Sequence, residues 1–183
     1  PMGCYQPAQI VIDAQKHGVE VRPVDVNYST WDNLLEQQTG KYHPVRLGFR
    51  QVKGLNEEDM QVLVAARQVP FTSIHALLNA GISPAALERL ADADAFRSIG
   101  LDRRQALWEV SALSDSPVGM FEGQSSERMP EKEIQLPLMR LSEHVIQDYS
   151  TTTLSLKAHP VSFVREKLDL LKVLPIKALD QHA

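Results

Sequence analysis

VKGLNEEDMQVLVAAR, residues 52–67, sets a glycine turn directly ahead of an amphipathic helix. Met60, Leu63 and Val64 recur at helical spacing and form the expected inner face. Asn56 stands at the N-cap position, and Glu57, Glu58 and Asp59 fall in the first turn, where the helix dipole favours negative charge. A helix entered this way presents unpaired backbone N–H groups at its start. Such groups can hold an anion without a basic surface around them.

The pattern has an echo. RQVKGLNEEDMQVLVAAR (50–67) turns at Gly54-Leu55-Asn56, and HALLNAGISPAALERLADA (75–93) turns at Gly81-Ile82-Ser83. Each reads as helix, hairpin, helix. The glycine lets the backbone approach a ligand, the Leu or Ile anchors the hairpin, and the third residue caps the next helix. Asn56 also tolerates the left-handed conformation. Pro84 suits the first helical position after Ser83. One copy is explained by an ordinary αα-hairpin turn; two copies point to helix-hairpin-helix modules that grip nucleic-acid backbones.

Local charge agrees with that reading. Between Lys41 and Val110 nine Lys or Arg face eight Asp or Glu, a net of +1 in a chain whose total is −4. Arg50 and Lys53 flank the first turn, and Arg103-Arg104 open a later helix against the sense of its dipole. The candidate duplex contacts are therefore Arg50, Lys53, Gly54, Leu55, Asn56, Gly81, Ile82, Ser83, Arg103 and Arg104. Contacts of this kind hold DNA by its phosphates and do not read its sequence.

Working outward, Pro7 to His17 shows helical spacing that Gly18 stops. VEVRPVDVN (19–27) reads as a short edge strand, and VRLGF (45–49) as a second strand pairing across the loop GKYHP. Helical faces follow at Ile74, Leu77 and Leu78, then Leu87, Leu90 and Ala91, then Ala106, Leu107 and Val110. SDSPVGMFEGQSSERMPEKE (114–133) reads as an exposed linker. Order returns in the remainder, where Pro160 lies near the start of a helix expected to run to about Val173. The expected fold is mainly α, a tandem helix-hairpin-helix bundle with a small β-hairpin near the N-terminus. Its divisions are 1–45, 46–113, 114–133 and 134–183.

Composition excludes several classes. The 183 residues are 43% hydrophobic and 23% charged, and no apolar run approaches the roughly 20 residues of a spanning helix. The expected partners therefore include no membrane, and the start PMGCYQPAQ lacks the features of a signal peptide. A single cysteine, Cys4, rules out an internal disulfide and a CxxC site, in keeping with a reducing cytoplasm. The six histidines show no paired-ligand spacing, so no metal site is expected. Because the first residue is Pro, we expect a piece of a longer protein.

PMGCYQPAQIVIDAQKHGVEVRPVDVNYS, RLGFRQVKGLNEED, ALERLADADAFRSIGLDRRQALWEV and DYSTTTLSLKAHPVSFVR, in this order, resemble the bacterial C-family DNA polymerases, relatives of the polymerase III alpha subunit. HGVEVRPVDVN, DAFRSIGLDRRQALW and LSLKAHP are most similar to the error-prone, damage-inducible branch. The resemblance covers nearly the whole chain. It implies a stretch from the end of the fingers (1–45), through the helix-hairpin-helix region, to a helical segment (134–183) that leads to an oligonucleotide-binding barrel not contained here. The chain departs from the family at Cys4, where an aromatic is usual, and at Asn56 and Thr153, where Gly is usual.

Two-metal nucleotidyl transfer needs converging carboxylates, and the family's palm motif of that kind is absent. Asp92 and Asp94 imitate it, but at a helix end their side chains should diverge. No catalytic residue and no cofactor is assigned to this chain; the parent implied by the resemblance uses Mg²⁺. Two other classes stand beside the DNA grip. One is a docking module for a sliding clamp or an accessory polymerase-like protein, with Met120 and Phe121 of the linker as possible clamp contacts. In the replicative relatives such a peptide opens with Gln, which PVGMF lacks, so direct clamp binding is expected to be weak or absent. The other is a nuclease using His75 or His144 with a nearby carboxylate.

Overall fold

The structure, a computed structural model, describes residues 6–38, 40–114 and 136–174. Helix α1 (Pro7–Lys16) starts on a proline and ends at Gly18, φ +85°. The Gly18 N–H bonds Gln15 O at 3.0 Å and the Val19 N–H bonds Ala14 O at 3.0 Å. This closure satisfies the last carbonyls of the helix, and only glycine adopts it without strain.

Three two-residue strands follow: β1 (Val21–Arg22), β2 (Leu34–Leu35) and β3 (Val45–Arg46). A hairpin does form across the loop, but β3 makes it with β2, a strand the sequence did not announce, with Leu35 opposite Val45. The strand in VEVRPVDVN lies on the other side of β3 and runs parallel to it, making a sheet ordered β1-β3-β2. β2 escaped notice because two residues give no alternation to read. Glu36 ties the three strands together, accepting from Arg46 Nε at 2.7 Å and from Arg22.

β3 runs through Leu47 and Gly48 into a single 3-10 turn, Phe49–Gln51, and then α2 (Glu57–Ala66). The first motif thus has one 3-10 turn where a leading helix was expected. Next come α3 (Ile74–Asn79), α4 (Pro84–Asp92), a 3-10 turn at Arg97–Ile99 and α5 (Arg103–Ser114). After 136 the chain forms α6 (Leu141–Thr152), a 3-10 turn at Pro160–Val164 and α7 (Arg165–Leu170). The last helix is shorter than the expected run to Val173, because Lys172 turns left-handed (φ +58°) and closes it.

Among the described residues one apolar cluster unites the pieces from α1 to α5, joined from the later chain by Leu154 and Leu156. Val24, Val26, Leu47 and Phe49 meet Met60, Leu63, Ile74, Leu77, Leu87, Leu90, Phe96, Ala106 and Val110. Val64, Leu78 and Leu107 pack at its edge. The β element and the helical bundle therefore share one core, which fixes the turns rigidly against each other. None of the described helices is long and apolar enough to cross a membrane.

Candidate nucleic-acid interface

Gly54 and Gly81 both adopt positive φ, +83° and +93°. Ile82 is buried to 1% exposure and Leu55 packs at the core edge, so each apolar residue anchors its turn. The Asp59 N–H donates to Asn56 Oδ1 at 2.8 Å, and the Ala86 N–H donates to Ser83 Oγ at 3.2 Å. Asn56 caps with φ −109° and is not left-handed; Gly54 carries the reversal alone.

Sequence reasoning missed a third copy. Gly100 (φ +85°), Leu101 and Asp102 repeat the order of glycine, apolar anchor and cap before α5. The Gln105 N–H donates to Asp102 Oδ1 at 2.9 Å, and Gln105 Oε1 accepts from the Asp102 N–H at 3.3 Å. The signal was present as a capping box, Asp102 with Gln105 three residues on.

The turns differ in what their amides do. The Gly81 N–H bonds Leu78 O at 3.0 Å and the Ile82 N–H bonds Leu77 O at 3.2 Å, so both serve to close α3. At the first turn the Lys53 N–H donates to Thr151 O of α6 at 2.9 Å. Among the described residues the Gly54 N–H has no partner.

The candidate cations are distributed unequally. Arg50 is 61% exposed and pairs with Asp32 at 2.6 Å. The Lys53 ammonium donates to Ser150 O at 2.9 Å, from an exposed position. Arg104 binds Pro137 O at 2.8 Å and Glu143 at 3.1 Å. Arg103 is withdrawn from the candidate contacts: it is 1% exposed, bonded to Asp148 and to His144 O, and belongs to the interior. Its position at a helix start, against the sense of the dipole, resembled a phosphate contact, and only the tertiary structure reveals the carboxylate 45 residues away. The structure adds Arg89 of α4, whose side chain lies against Gly54.

Arg103 belongs to a partly buried ionic network. Asp148 accepts from Arg103, from Ser155 Oγ at 2.7 Å and from Lys157 Nζ at 3.3 Å. Lys157 also reaches Asp94 at 3.1 Å, and Arg97 grips Asp94 with two bonds of 2.8 and 3.0 Å. The network pins LSLKAHP to α4 and α6 beside a cleft of about 290 Å³ lined by Leu47, Arg97 and Leu154. Asp94, at φ +60°, also closes α4, with the Ala95 N–H bonding Leu90 O at 3.0 Å.

Burial pushes the Asp94 carboxyl up, but Arg97 and Lys157 outweigh it and its pKa lies below the ordinary value. Asp94 therefore adds stability that is present above the unfolded pKa, about 3.9, and lost as pH falls toward the lower folded one. Asp94→Asn keeps a residue suited to the left-handed backbone and removes the charge. Urea titrations from pH 7 to pH 3 should show a deficit for this variant that is largest at pH 7 and shrinks below about pH 4. A deficit constant across that range would deny the charge any role.

Asp92 and Asp94 do not converge. Asp92 accepts from Gln147 at 3.3 Å, and burial followed by Glu88 raises its pKa, while Asp94 is held by its two cations. Among the described residues no group of three His, Cys, Asp or Glu is arranged to hold a metal. His75 is exposed, and the His144 ring lies 3.3 Å from Arg103, its pKa lowered by burial and then by Lys157 and Arg103. His75 does have a carboxylate near it, Glu109, whose pKa is raised by burial, a rise only partly offset by the histidine. Met120 and Phe121 lie outside the described residues.

The helix-hairpin-helix motif family matches residues 18–106, the span that contains all three turns. Error-prone DNA polymerase 1 of Rhizobium meliloti (strain 1021) is 52% identical over 190 residues, covering 91% of this chain. The error-prone DNA polymerase of Brucella abortus biovar 1 is 47% identical over 188 residues, covering all of it. That of Ruegeria pomeroyi is 48% identical over 168 residues, covering 90% of this chain. Over nearly all its length the chain is thus similar to one segment of the error-prone DNA polymerases. It spans 17% of the first two relatives and 15% of the third. In these polymerases the matched segment is thus a minor part of a much longer protein.

Proposed function

We propose that this chain is the part of an error-prone DNA polymerase that grips duplex DNA by its backbone, without reading sequence. The repeated glycine, anchor and cap turn, each copy opening a helix from one rigid core, carries the reading. Exposed Arg50, Lys53 and Arg89 supply cations beside the first turn, and phosphates met by such groups register a duplex without base contacts. Nucleotidyl transfer, with its Mg²⁺ ions, falls to another part of the parent, whose setting is the bacterial cytoplasm and whose task is synthesis past damaged DNA.

Anisotropy titration of the chain with labelled duplexes of unrelated sequence tests this. Affinities should lie at about 10⁻⁴–10⁻⁶ M near physiological salt, agree between sequences, and fall steeply as salt rises. Binding that ignores ionic strength would sink the reading. A docking role has one observation in its favour: Leu138, Leu141, Ile146, Leu170 and Leu171 are all more than half exposed. Such side chains suit a protein surface, and association through them would be insensitive to salt.

A further inference from the structure

We infer that Arg89, a residue of the second helix-hairpin-helix motif, supplies the phosphate-binding cation of the first motif's turn. The inference rests on the DNA-grip reading and names a residue for it. The α2 N-terminus is a poor anion site by itself, because Glu57, Glu58 and Asp59 occupy its first turn and Asn56 already caps it. The positive end of the dipole is compensated there, so a phosphate at this turn needs charge from another element.

Arg89 is placed to provide it. A Cβ built on Gly54 would stand 3.2 Å from Arg89 Nε and 3.4 Å from its Cδ, so the arginine side chain lies directly along the glycine. Gly54 is needed twice over, for its φ of +83° and for the room its missing side chain leaves to Arg89. The guanidinium is available: its side chain is 52% exposed and its nearest carboxylate oxygen, on Asp92, is 3.8 Å away. Next to it lie the unpartnered Gly54 N–H and the exposed Lys53. A planar donor fork beside a free amide matches a phosphate's oxygens, whereas the second turn has spent its amides on α3 and has open space at Gly81.

The full 183-residue chain would be titrated with a mixed-sequence 25-base-pair duplex across a salt series, with circular dichroism to confirm the fold. Arg89→Gln should weaken binding several-fold and reduce the salt slope by about one phosphate contact. Lys16→Gln, on α1, should change neither quantity. If the wild type binds with the expected salt dependence and Arg89→Gln matches it in affinity and slope, the assignment to Arg89 fails while the DNA-grip reading stands. Weaker binding at unchanged slope would equally overturn the assignment. If the wild type itself shows no salt-dependent binding, the reading fails and the inference with it.

Discussion

Arg103→Ala should unfold at far lower urea than the wild type, with a loss of about 3 kcal/mol. The guanidinium is 1% exposed and holds Asp148, which is itself buried. Removing one partner of a buried ion pair leaves the other charge uncompensated, at a typical cost of about 3–5 kcal/mol. The lower end applies because Lys157 Nζ remains 3.3 Å from Asp148 and Ser155 Oγ still donates to it. For a protein of this size the loss corresponds to roughly 6–12 °C in Tm. Arg103 Nε is buried without a partner among the described residues, so the pair is imperfectly satisfied even in the wild type. An Arg103→Met/Asp148→Leu double variant should therefore recover much of the loss, since apolar packing can replace a buried pair. A loss below 1 kcal/mol for Arg103→Ala would show that Lys157 neutralises Asp148 alone.

The same residue marks where sequence reasoning stops. The helices were legible because Met60, Leu63, Ile74, Leu77, Leu87, Leu90, Ala106 and Val110 repeat at 3.6-residue spacing and all are buried. The two glycine turns were legible because positive φ selects glycine and a cap selects Asn or Ser. The role of Arg103 was not, since its partner lies far along the chain and an arginine at a helix start looks the same whether it faces water or a carboxylate. Arg89 was missed for a related reason. Its neighbours in sequence belong to the second motif, and its contact with Gly54 exists only because α4 packs against the first turn. The parallel pairing of β1 with β3 is likewise a property of the closed chain, as two-residue strands carry no pattern of their own.

Adding one methyl group at Gly48 should harm the protein more than adding one at Gly81, although Gly81 has the unusual backbone. Gly48 has φ −86° and ψ 162°, a conformation any residue adopts, so alanine meets no dihedral strain. Its Cβ would stand 2.4 Å from Asp32 C and Trp31 O and 2.6 Å from Asp32 O. All three are backbone atoms, and no rotamer change can move them away. Relief requires the 30–33 loop to separate from β3, which breaks the bonds from Gly48 N to Asn33 Oδ1 (2.8 Å), Phe49 N to Thr30 O (2.9 Å) and Arg50 N to Trp31 O (3.0 Å). Overpacking usually costs about 1–3 kcal/mol, and an obstacle made of backbone belongs at or beyond the upper end. At Gly81 an added Cβ meets nothing within 4 Å, so alanine there bears only the left-handed penalty of about 1–2 kcal/mol. Urea unfolding should thus rank Gly48→Ala below Gly81→Ala by 1 kcal/mol or more, or find the former unfolded. The reverse order would mean that the loop yields easily. The consequence reaches the candidate interface, because the same loop supplies Asp32 to Arg50 and holds the 3-10 turn that leads into Lys53 and Gly54. A chain that survives Gly48→Ala by shifting this loop should also lose DNA affinity, whereas Gly81→Ala, far less disruptive to that turn, should retain most of it.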